Sequence, residues 1–131
     1  MRGAGTISYY IKYLALLLGA LTLLNSPVRA EVNCEELWAT RAVIEMKRCV
    51  QSQFEASEKA LKATLDRVSK NLDDKQKKAL NKAQLAWTRY RLLDCHTYSL
   101  KTKGQFRSIY NTLCRSKLTN QRNTVLIEQY Q

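Results

Sequence analysis

Proline occurs once in the 131-residue chain, at Pro27, and glycine four times, of which only Gly104 lies beyond residue 30. A sheet of several strands needs tight-turn residues, and after residue 30 they are missing. The composition therefore excludes most all-β architectures and points to long helices with few connections. Histidine is equally scarce. His96 is the only one and no CxxC pair occurs, so the ligand spacing of a zinc site is absent and no metal or other cofactor is expected. Acidic residues number 11 against 22 basic ones, an imbalance that favours acidic partners.

The first thirty residues form a unit of their own. Arg2 and Lys12 make a basic start, Leu14 to Leu24 is an unbroken run of apolar, Gly and Thr residues, and Val28-Arg29-Ala30 is a small-residue cleavage site. The run is too short for a bilayer core, which takes about 20 residues, so residues 1–30 are expected to be a secretory signal peptide and 31–131 the mature domain. Removing that segment takes away three cations and no acid, leaving 19 against 11 and a net charge of +8. The excess fits anionic envelope polymers or membrane surfaces and not an intracellular nucleic-acid role. Cys34, Cys49, Cys95 and Cys114 all fall in the mature part, and an even count in a short exported chain reads as two disulfides. The expected location is periplasmic or secreted, with no transmembrane segment in the mature chain.

Apolar or small residues recur at Ala42, Met46, Cys49 or Val50, Phe54, Ser57, Leu61, Leu65, Val68 and Leu72, steps of three and four that trace one helix face. Lys47, Glu55, Glu58, Lys62 and Arg67 mark the opposite face. Both Asn33 with Glu36 and the later Thr40 offer an N-cap for this helix. Asp73 with Gln76 three residues on reads as the start of a second helix, so the two are expected to lie as antiparallel neighbours. That helix runs through Ala79, Ala83, Ala86 or Trp87, Tyr90 and Leu93 toward Leu100, and Gly104 is where it is expected to stop. A third helix follows, with Phe106, Ile109, Tyr110, Leu113, Leu118, Val125 and Leu126 as its apolar side. One unbroken helix would put Cys34 and Cys49 about 22 Å apart, so pairing them requires residues 34–40 to fold back. The hairpin register gathers all four cysteines at one end, and levels alone leave the three connectivities open. The fold class expected is all-α, a small antiparallel three-helix bundle stapled by two disulfides.

The stretch AQLAWTRYRLLDC, residues 83–95, resembles the signature of the lysozyme inhibitor LprI-like N-terminal domain family, small exported bacterial helical domains. The resemblance extends over nearly the whole mature chain: Cys34, Thr40, Glu45-Met46, Cys49, then Ala83-Gln84, Ala86-Trp87, Tyr90-Arg91, Cys95, Gly104, Cys114 and Thr119 with Arg122. It implies pairing of Cys34 with Cys49 and of Cys95 with Cys114, and inhibition of lysozyme or another cell-wall hydrolase. Related proteins are often lipoproteins, but Glu31-Val32-Asn33 before Cys34 does not resemble a lipobox, so a soluble exported protein is expected.

Among candidate site residues, Trp87, Tyr90 and Arg91 suit a stacking surface for carbohydrate or peptide. At helical spacing they fit the core better, with Arg91 or Arg122 paired to an acid such as Glu45. Lys75, Lys78, Lys82 and Arg89 form a basic stripe along the second helix that can meet phosphate or carboxylate groups. Asp73 and Asp74 read as caps rather than paired catalytic carboxylates. His96 stands beside Cys95, but an oxidised thiol is no nucleophile. No catalytic constellation is left, and the expectation is a binding protein, either a hydrolase inhibitor or an envelope accessory protein contacting anionic components through the basic face.

Overall fold

A computed structural model describes residues 34, 37–38 and 42–130. The expected signal segment, residues 1–30, and the candidate caps Asn33 and Thr40 lie outside the described residues. Three long helices make up the domain: α1 over Val43–Lys70, α2 over Asp74–Ser99 and α3 over Gln105–Tyr130. No strand occurs among the described residues.

The helix ends follow local chemistry. The N-cap of α1, Ala42, supplies no side-chain cap; the Met46 amide simply donates to the Ala42 carbonyl at 2.9 Å. The start of α2 is a full capping box: the Gln76 amide donates to Asp73 Oδ1 at 2.7 Å, and the Asp73 amide donates to Gln76 Oε1 at 3.0 Å. At its other end α2 stops at Ser99, short of Gly104. Hydroxyls compete for its last carbonyls there, Ser99 Oγ donating to His96 O at 2.7 Å and Thr102 Oγ1 to Ser99 O at 2.9 Å. Gly104, at φ +61°, instead opens α3.

Cross-helix contacts give the topology. Cys95, Arg91 and Gln84 of α2 meet Cys114, Thr119 and Arg122 of α3 in turn, so numbers fall along one helix as they rise along the other, the order of an antiparallel pair. α3 packs against both partners, more extensively against α1. Small buried residues, Ser57 on α1 with Ser116 and Thr119 on α3, keep side-chain bulk low on the faces that pack. The apolar core divides in two. Cys34, Met46, Val50 and Ile109 form one cluster, with Trp38, Phe106 and Leu113 against it, while Leu61, Val68, Leu80 and Leu126 form the other, with Leu65, Leu72 and Trp87.

The disulfides join Cys34 to Cys49 and Cys95 to Cys114. The first requires the chain before α1 to turn back, and Leu37 and Trp38 lie in a helical turn there, with the Leu37 amide donating to Cys34 O at 3.2 Å.

The buried face of α1 agrees with the apolar periodicity. That of α2 does not. Ala79, Ala83, Ala86, Tyr90, Leu93 and Leu100 are exposed, and the packed face is Leu80, Arg91, Cys95 and Ser99, with Gln84 and Trp87 half-buried. The face is rotated by one residue because its packing residues are mostly polar or cysteine, which hydrophobic periodicity does not register. On α3, Val125 is likewise exposed while Ile109 and Leu126 are fully buried.

Gly104 supplies a direct test. An added Cβ would meet nothing within 4 Å, so the cost of Gly104→Ala is conformational alone. We expect a loss of about 1 kcal/mol in urea unfolding, and a smaller loss for Gly104→Asn, which tolerates the left-handed region.

Candidate functional site

The centre of the bundle holds a charge. Arg91 on α2 is buried, its side chain 6 % exposed, and its Nη1 donates both to Glu58 Oε1 on α1 and to Thr119 Oγ1 on α3. Nη2 reaches Glu58 Oε2 at 3.5 Å. The guanidinium lies over the Trp87 ring at 4.7 Å and near the Phe54 ring at 5.4 Å, so its faces are covered by aromatic surface while its Nη atoms are paired and the buried Nε has no hydrogen-bond partner. The Thr119 hydroxyl accepts from Arg91 and stands within donating range of Arg115 O at 2.7 Å and Glu58 Oε1 at 3.2 Å.

A second cation shares this region. The Arg115 guanidinium lies over the same Phe54 ring at 4.2 Å. Burial lowers its pKa first, the nearby Arg91 lowers it further, and Glu58 works in the opposite direction. Two guanidiniums thus depend on one carboxylate. One turn along, Arg122 Nε donates to Gln84 Oε1 at 3.3 Å, a further polar link between α3 and α2.

The acid that completes the knot is Glu58, not Glu45. Glu45 is exposed in the first turn of α1, and Glu58, assigned by periodicity to the solvent face, is half-buried at the contact. Counted about the α1–α2 turn at 1.5 Å per residue, Glu45 lies roughly 12 Å and Glu58 roughly 7.5 Å from the level of Arg91, so register disfavours Glu45 without singling out Glu58. Phe54, Arg115 and Trp38 also escape sequence reasoning as site residues. Trp38 packs with Phe106 at 6.2 Å and with Tyr110 at 5.3 Å. Tyr90, expected to fill the core beside Trp87, is instead 55 % exposed, because α2 turns that residue outward.

The structure therefore brings together Trp87, Arg91 and Thr119, with Arg122 a turn away, and leaves Tyr90 outside. Lys75, Lys78, Lys82 and Arg89 are all exposed along α2, and none forms an ion pair among the described residues. The Asp94 carboxylate lies within 4.8 Å of the Cys95 and Cys114 sulfurs, but both sulfurs are in the disulfide and offer no thiolate to a metal.

A sequence model of the family described as "Lysozyme inhibitor LprI" matches residues 34–126. The chain belongs to this family. The match starts at Cys34 and ends in α3, so it takes in both disulfides and every residue of the arginine knot. No match is found among curated proteins or among solved structures. In this chain Trp87, Arg91 and Arg122, which mark the resemblance, take part in contacts with other helices or with each other, and Tyr90 is exposed. No helix among the described residues is long and apolar enough to cross a membrane.

The knot predicts an asymmetry. Glu58 is 42 % exposed in its side chain, so after Arg91→Leu it regains water. Glu58→Leu leaves a buried guanidinium unpaired beside a second one. We expect Glu58→Leu to cost about 3 kcal/mol and Arg91→Leu about half that. The double variant should recover most of the larger loss in chemical denaturation, which a sum of independent effects would not give.

Proposed function

We propose that this LprI-family domain is an exported binding protein that inhibits lysozyme or a related cell-wall hydrolase by occupying its surface, with no chemistry of its own. The family match over residues 34–126 carries the reading. Residues 1–30 act as the export signal and are removed near Glu31, after which the two disulfides close in an oxidising compartment. Their presence in the fold is consistent with that location.

Charge sets the terms of such a contact: common lysozymes are strongly basic, so a domain of net charge +8 is repelled by them at long range and must meet them locally. Glycoside hydrolases of this kind place two carboxyl groups in a cleft, and a cationic ridge is complementary to them. Lys75, Lys78, Lys82 and Arg89 present such a ridge on a rigid helix. The same ridge supports a second reading, an accessory protein that holds anionic envelope polymer, because these cations have no acid paired with them among the described residues.

Cell-wall lysis by lysozyme, followed by turbidity as the protein is added, separates the two. Inhibition that saturates at equimolar protein supports the first reading. Lysis unchanged at large excess, together with retention on a polyphosphate column, would replace it by the second. In either case we expect the triple variant Lys75→Gln, Lys78→Gln, Lys82→Gln to weaken binding about tenfold at low salt and less at high salt, with helicity unchanged.

A further inference from the structure

The outward face of α2 combines cations with leucines that are exposed among the described residues. Leu85, Leu92, Leu93 and Leu100 are 73 %, 55 %, 58 % and 51 % exposed. At 100° per residue they fall within a sector of about 120°, opposite the side that packs on α3. Lys78, Lys82 and Arg89 lie in that same sector, as do Lys75 and His96. Its only acid is Asp74, in the first turn at the sector's edge and 4.0 Å from Lys77. Asp94 lies well outside it.

We infer that this face is a docking surface for an anionic lipid leaflet, with the leucines entering the boundary between headgroups and acyl chains and the lysines and arginine held at the phosphate level. Three observations favour lipid over other occupants. The four leucines together present about 400 Å² of apolar surface, within the ordinary range for a monomer's largest patch and about half of what each partner of a stable dimer buries. A second copy docked face to face would also bring one set of cations toward the other. The residue types speak against a protein partner, since lysine is depleted in protein interfaces and leucine is under-represented among their energetic centres. Leucine interleaved with lysine on one helix face suits a leaflet instead, because lysine stems lie along apolar surface while the ammonium stays at the headgroups.

The inference goes beyond hydrolase binding, and its test contains no hydrolase. A Leu93→Trp substitution in the full chain places a reporter at the centre of the face, away from Trp38 and Trp87. With vesicles of phosphatidylcholine containing phosphatidylglycerol, its emission should shift to the blue and lose access to an aqueous quencher. Vesicles of phosphatidylcholine alone should give little shift. Adding Lys78→Glu, Lys82→Glu and Arg89→Glu in the same background should weaken the anionic-vesicle response at least about tenfold, while circular dichroism confirms unchanged helicity. Because the reporter sits on α2, binding through the apolar run of residues 1–30 does not by itself produce the signal. No shift on anionic vesicles, an equal shift on neutral ones, or a shift that survives charge reversal would each overturn the inference. A shift with polyglutamate and none with vesicles would overturn it in favour of an acidic protein partner.

Discussion

The three helices meet at one guanidinium. Arg91 of α2 is paired to Glu58 of α1 and to Thr119 of α3 and is covered by Trp87 and Phe54, so a single side chain carries polar contacts to both other helices. A buried charge of this kind is weak evidence for stability, because an apolar replacement of similar volume often does as well. Its effect is on register. Sliding α1 past α2 by one turn would take Glu58 about 5.4 Å away and leave the buried Arg91 and the half-buried Arg115 without a carboxylate. The apolar clusters on either side of the knot, built mostly from aliphatic residues, would tolerate such a shift far better.

This division of labour commits most of the family signature to packing. Side chains that look chemically able, an indole beside an arginine, are committed to each other. On the outer surface of α2, Lys75, Lys78, Lys82 and Arg89 run beside exposed leucines. The disulfides and the knot make that surface rigid, and rigidity lowers the ordering cost of any contact made there.

Much of this was legible beforehand, and the exceptions have a common cause. The buried face of α1 is aliphatic and follows its period, and the capping box at Asp73 and Gln76 is a local pattern, so both could be read directly. The packed face of α2 has one leucine, Leu80, among Arg91, Cys95 and Ser99, and its alanines and leucines point outward. A reading that follows hydrophobicity there follows the wrong face, rotated by about 100°. The partner of Arg91 was missed for the same reason: Glu58 reads as a surface residue until α2 is turned to bring an arginine onto it.

The two disulfides differ in what they join. Cys95–Cys114 ties α2 to α3, whereas Cys34–Cys49 ties α1 only to the segment just before it. No covalent bond other than the backbone through Asn71–Asp73 therefore holds α1 to the rest. Topologically the domain is a closed hairpin of two helices with a third laid against it as an arm. Such an arm can be supplied by a second copy without reducing any bond, its own loop at Cys34–Cys49 travelling with it. The Glu58 carboxylate would meet an Arg91 in the exchanged pair as it does in the single chain, so the knot that fixes register would not by itself prevent an exchanged dimer from forming.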